Sequence, residues 1–174
     1  MAWHHLMARE YDRAISQALK AIELDPDFVQ AHRVLGLAHL YTGRMSEACA
    51  EFEKGVELSH SDPVARLYLA RCYALSHRAA ESRSSLDALV KASAERYISS
   101  AEIAAVYAAL GDTSSSLQWL NKAVNERASA LVYLNVDPIF DHMRGDPRFQ
   151  VIVRRVNLIP IVDGSSKKLR QFHP

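Results

Sequence analysis

Apolar residues between Val29 and Leu58, VQAHRVLGLAHLYTGRMSEACAEFEKGVEL, fall twice on helical spacing, with a break at Gly43-Arg44. Val34, Leu35, Ala38 and Leu40 recur before the break, and Ala48, Phe52 and Val56 after it, which predicts two amphipathic helices. A glycine at the break closes the first helix and lets the chain reverse, so the two are expected to run antiparallel. Strands are not indicated.

The same pattern returns when the chain is shifted by 34 residues. Leu35, Leu69 and Ile103 fall in register, each followed by a small residue (Gly36, Ala70, Ala104) that lets two helices approach closely. His39, Tyr73 and Tyr107 form another column, and the elbow positions are Gly43, His77 and Gly111. In the second helix of each pair a small residue recurs at Ala14, Ala48, Ser82 and Ser116. A core position follows at Ala18, Phe52, Leu86 and Leu120, and a further column runs Ala21, Gly55, Leu89, Ala123.

Cap chemistry divides the chain. Asp25-Pro26 ends one helix, because proline disfavours a helical residue before it. Asp62-Pro63 opens another as an N-cap and N1 pair, and Ser99-Ser-Ala-Glu102 reads as a capping box. Beyond Arg127 the repeat fades, and Asp137-Pro138 and Asp146-Pro147 each mark a helix start, with Gly145 as the stop between them. Phe149, Ile152, Val153 and Val156 would share one face of the last helix, which reads as a lid on the core.

A helix-turn-helix unit of this length and order resembles the tetratricopeptide repeat over residues 1–128, best in AHRVLGLAHLYTGRMSEACAEFEKGVEL and AEIAAVYAALGDTSSSLQWLNKAV. His77 replaces the usual elbow glycine, and Asp25-Pro26 alone preserves the proline expected at a unit boundary, so the third unit is the loosest. The resemblance implies an all-α, right-handed α-solenoid of antiparallel helix pairs. It would comprise about four units over 1–128 with the first truncated, capping helices over 129–158, and a tail over 159–174. The first helix of each unit then lines a concave face.

That face would carry a peptide-binding groove built on Arg33, Leu37, Tyr41, Tyr68, Arg71 and Glu102, a mix of aromatics and arginine that suits a binding hot spot. Arg33 and Arg71, from adjacent units, could jointly hold a carboxylate. The basic and asparagine clamp by which some family members grip chaperone peptides is disfavoured, because the inner helices carry no asparagine. The function implied is a protein-protein interaction scaffold for a protein or peptide ligand.

YAALGDTSSSLQWLNKAVNERASALVYLNVDPIFDHMRGDPRF further resembles the end of bacterial repeat arrays that follow winged-helix, Ser/Thr kinase or cyclase domains. The alternative is therefore a regulatory or sensor module of a larger signalling or transcription-regulator protein. Met1 stands in register with Leu35, so the opening helix starts inside a unit, as in a fragment. Trp3, Leu6 and Met7 would then be partly uncovered, which predicts self-association through this end or an upstream segment that covers it.

Composition narrows the remaining classes. With 49% hydrophobic and 24% charged residues, 6 Gly and 6 Pro, the chain can bury a continuous core with little long loop. A formal charge of +1 gives no overall pull toward nucleic acid or an anionic membrane, and no membrane-spanning run or signal peptide is read. Positive charge gathers after His142 (Arg144, Arg148, Arg154, Arg155, Lys167, Lys168, Arg170), yet without stacking aromatics it reads as a solvated face.

Cys49 and Cys72 are expected as free, packed thiols in a reducing, cytoplasmic setting. His4, His5, His32 and His39 lack the converging carboxylates or thiolates that a metal site needs, so no metal or other cofactor is expected. With no glycine-rich phosphate loop or nucleophile elbow, the sequence reads as non-enzymatic.

Overall fold

The computed structural model describes residues 1–158, so the expected tail lies outside the described residues. The first eight of the nine α-helices among the described residues run in chain order: α1 (Ala2–Met7), α2 (Tyr11–Leu24), α3 (Val29–Tyr41), α4 (Met45–Leu58), α5 (Pro63–Leu75), α6 (Ala79–Ala92), α7 (Ser100–Ala109) and α8 (Thr113–Asn125). They pack as antiparallel pairs. The inner helices α1, α3, α5 and α7 also contact one another in sequence, forming the all-α repeat solenoid. No strand occurs among the described residues.

The repeat is written into the backbone at the elbows. Glu10, Arg44, Arg78 and Asp112 each donate their N–H, at 2.9 Å, to the carbonyl of His5, His39, Tyr73 and Tyr107 respectively. That is the bond of a Schellman closure, which requires a left-handed residue just before the donor. Arg9, Gly43, His77 and Gly111 supply it, with φ of 62°, 80°, 60° and 76°. The elbow of the third unit is therefore built like the others, and His77 simply adopts the conformation that glycine takes more easily.

The small-residue columns are buried. Ala70 and Ala104 have no exposed surface, and neither do Ala14, Ala48, Ser82 and Ser116. A Cβ on Gly36 would stand 2.8 Å from Cε1 of Phe52, so the α3–α4 approach depends on the missing methyl. Ser116 satisfies its hydroxyl by donating to the Ala104 carbonyl at 2.9 Å.

The caps follow the sequence signals. Asp62 accepts from Val64 N and Ala65 N, and Asp146 accepts from Arg148 N. The capping box at α7 is only half made. Ser99 Oγ accepts from Glu102 N at 3.4 Å, while the Glu102 carboxylate turns toward Tyr68.

Two expectations are corrected. Cys49 and Cys72 are not free: they form a disulfide with Cα atoms 5.8 Å apart, joining α4 to α5 across a unit boundary. The thiol argument for a reducing, cytoplasmic setting therefore falls away. Residues expected to begin the capping helices instead form two 3₁₀ segments, Ser129–Tyr133 and Pro138–Met143, ahead of α9 (Pro147–Arg155). On α9, Phe149, Ile152 and Val153 are buried in one cluster with Leu117, Leu120, Phe140 and Met143. The 3₁₀ pair does not extend the stack but folds back against α7, toward the inner row.

Candidate binding groove

Each inner helix projects a large side chain toward the same space. Trp3 comes from α1, Arg33 from α3, Tyr68 from α5 and Glu102 from α7, and all four line one cavity of about 530 Å³. Its remaining wall is the chain's own C-terminal segment, with Tyr133, Leu134, Asp137 and Phe140. The face of the inner helices is thus partly occupied from within.

Asp137 makes the main connection. Its carboxylate accepts from Arg71 Nη2 at 2.7 and 3.0 Å and from the Tyr41 hydroxyl at 2.5 Å. It also caps Ile139 N at 3.0 Å. Arg71, 1% exposed, further donates to the Tyr41 oxygen and lies 5.7 Å from the centroids of both the Tyr41 and Tyr68 rings. Burial works against its charge, but Asp137 and the oxygens of Tyr41, Tyr68 and Glu102 more than offset that and hold it above its ordinary range. Burial likewise drives the Tyr41 and Tyr68 phenols well up, so both stay neutral donors.

The segment is shaped by a second buried arginine. Arg144, 7% exposed, donates to the carbonyls of Asn135 and Asp137 and to the Asp141 carboxylate. Arg9, at the first elbow, meets Asp141 from the other side at 2.7 Å. Trp3 meets Tyr133 edge-on with centroids 5.2 Å apart.

Among the groove residues expected from sequence, Arg33, Tyr68 and Glu102 share the cavity. Tyr68 donates to Glu102 Oε1 at 3.1 Å, and burial raises the Glu102 carboxyl. Tyr41 and Arg71 are joined to Asp137 instead. Leu37, 1% exposed, lies in the core beneath the face and cannot line an open groove. Arg71 is engaged by the chain's own Asp137 carboxylate, in which Arg33 takes no part.

Arg33 stands apart, its guanidinium 5.1 Å from the Trp3 ring and 5.3 Å from the Tyr68 ring. The N-terminal set is covered only in part. Leu6 is fully buried, Met7 is half-buried, and Trp3 packs on Tyr133, so Leu6 has no surface to offer a second copy.

Sequence reasoning read Asp137 as a cap alone and passed over Arg9 and Tyr133. A signal was present: an arginine in the apolar run of α5 has to find an acid, and Asp137 is the one that reaches it.

Two further cavities open along the same wall. One of about 490 Å³ is lined by Val29, Gln30, Phe52, Val64, Ala65 and Tyr68, and one of about 440 Å³ by Trp3, Leu24, Phe28, Gln30 and Val34. They meet at Gln30 and Arg33. His32, weighed with His39 as a metal ligand and set aside, bonds Glu51 at 2.7 Å and the Pro26 carbonyl at 2.8 Å. No group of three or more potential metal ligands converges among the described residues, and no helix there is long and apolar enough to cross a membrane.

Comparison with known proteins finds the same kind of repeat. Residues 1–63 match the family model described as tetratricopeptide repeat. Over 61 residues the chain is 39% identical to Small glutamine-rich tetratricopeptide repeat-containing protein 2 of Mycosarcoma maydis, covering 35% of this chain and 17% of that one. Over 52 residues it is 40% identical to Hsp70-Hsp90 organizing protein of Triticum aestivum, covering 30% of this chain and 9% of that one. The chain therefore spans less than a fifth of either relative's length. Nearly identical TPR-like repeats assigned to a kinesin light chain of Podosopora anserina superpose with a TM-score of 0.52. The match has 15% identity and covers 99% of this chain and 94% of that one, a likeness of fold alone.

Proposed function

This chain carries tetratricopeptide repeats, and on that premise we propose that it is a protein-protein interaction scaffold without turnover. Its ligand is an extended peptide or a helix, laid along the wall formed by α1, α3 and α5. We read residues 1–128 as the repeat array and 129–158 as its cap.

The observation that carries this reading is the joining of two cavities at Gln30 and Arg33, where the arginine shared by both forms no ion pair among the described residues. A peptide there finds apolar walls at Val64, Phe52 and Val34, aromatic surface at Tyr68 and Trp3, and one cation. Such a combination suits a partner with alternating apolar and acidic side chains. Arg71 and Tyr41 support this wall from behind, since their polar atoms are spent on Asp137.

Panning a random peptide library on the chain, with Gln30→Glu/Val64→Glu in parallel, tests the reading. Both positions are exposed or half-buried, so the variant should fold. Enrichment of peptides that bind the parent and lose at least about tenfold in affinity on the variant, a difference of about 1.4 kcal/mol, supports the groove. Equal capture by both would remove it.

A further inference from the structure

The chamber of about 530 Å³ behind the C-terminal segment is separate from the peptide wall except at Arg33 and its flanking rings Trp3 and Tyr68. Its size lies within the range of sites that hold small molecules. Trp3 and Tyr68 flank the Arg33 guanidinium, which leaves its N–H edge as the binding direction. Two residues of that wall each keep one buried N–H donor, Arg33 Nε and Trp3 Nε1, with no acceptor among the described residues. Buried donors are ordinarily satisfied, and two together point to an acceptor supplied from outside the chain.

The charges around them agree. The Asp137 carboxylate is taken by Arg71 and Tyr41, and Glu102, raised by burial, accepts from Tyr68. Arg33 is the one cation in the chamber's lining and forms no ion pair among the described residues. The other walls are apolar, from Ala105, Val132, Leu134 and Phe140. We propose that this chamber is a binding site for a small monocarboxylate, its carboxylate held by the Arg33 guanidinium beside the Trp3 ring and its apolar body lying against Leu134 and Phe140. The site does not rest on the peptide reading, because Gln30 and Val64 do not line it.

The probe is hexanoate, with 1-hexanol and hexylamine as neutral and cationic counterparts, titrated into the full chain carrying Trp119→Phe so that Trp3 alone reports. A saturable change in Trp3 emission with hexanoate is expected, with the alcohol and amine at least about tenfold weaker. Arg33→Gln should abolish the preference for the acid. Arg33→Lys, which keeps the charge without the fork, should weaken hexanoate less than Arg33→Gln, and circular dichroism verifies that each variant is folded. Absence of saturation up to about 10 mM, equal binding of hexanol, or undiminished binding by a folded Arg33→Gln variant would each overturn the proposal. A negative result here leaves the Gln30 and Val64 test standing.

Discussion

Arg71 and Asp137 meet at 2.7 Å across 66 residues of chain, and the pair fastens the C-terminal segment to the inner face of the repeats. With its side chain 2% exposed, Arg71 has no water to fall back on when Asp137 is removed. Asp137→Ala should therefore destabilise the fold by about 3–5 kcal/mol. Arg71→Met combined with Asp137→Ala should cost less than the sum of the two single changes, because the double variant leaves no lone buried charge. Urea unfolding of the four proteins measures the coupling.

Two glycines on neighbouring turns of the same helix pair should respond in opposite directions. Gly36→Ala drives a methyl into the Phe52 ring and should destabilise by about 1–3 kcal/mol. At Gly55 nothing lies within 4 Å of the added Cβ, so Gly55→Ala in α4 should stabilise by about 0.5–1 kcal/mol. Thermal melts of both variants check the sign.

His77 holds a left-handed backbone at φ 60°, where its Cβ is strained. His77→Gly should stabilise the third elbow by about 1 kcal/mol. Arg9→Gly relieves the same strain at φ 62°, but it also removes the contact with Asp141, so its gain should be smaller. A comparison of denaturation midpoints separates the two cases.

Glu102 makes part of the stability depend on pH. Burial raises its folded pKa above the unfolded value, so protonation favours the folded state. The stabilisation is complete below the ordinary carboxylate range, near about 4.3, and is lost as pH rises through the folded value. Glu102→Gln stays neutral throughout. The stability of the variant minus that of the parent should therefore grow as pH rises across that window, the reverse of what removing a salt-bridged carboxylate would give. Denaturant midpoints at stepped pH values read it directly.

The repeat was open to sequence reasoning because it lives in local chemistry. Small residues such as Ala48 and Ser82 must be buried where helices touch, and Asp62, Asp137 and Asp146 bond the amides two residues on, so spacing alone places them. The elbow at His77 was legible by register and misleading by residue type, since its backbone fits the closure without a glycine.

What the sequence did not disclose depends on approach in space. The Cys49–Cys72 bond needs α4 and α5 brought to 5.8 Å between Cα atoms. The Tyr41–Asp137 and Arg9–Asp141 contacts span 96 and 132 residues, beyond the reach of any periodicity. The make-up of the inner face was accordingly half legible. Arg33, Tyr68 and Glu102 share the predicted face, whereas Leu37 turned inward and Arg71 found an acid within the chain.

Hydrogen exchange on the full chain, with and without a peptide selected on it, tests the interaction reading most directly. The account predicts slowed exchange at residues 29–34 and 64–68, with 129–143 unchanged because Arg71 keeps Asp137 in place. Slowing confined to the outer helices α2, α4 and α6, with 29–34 and 64–68 unaffected, would contradict it.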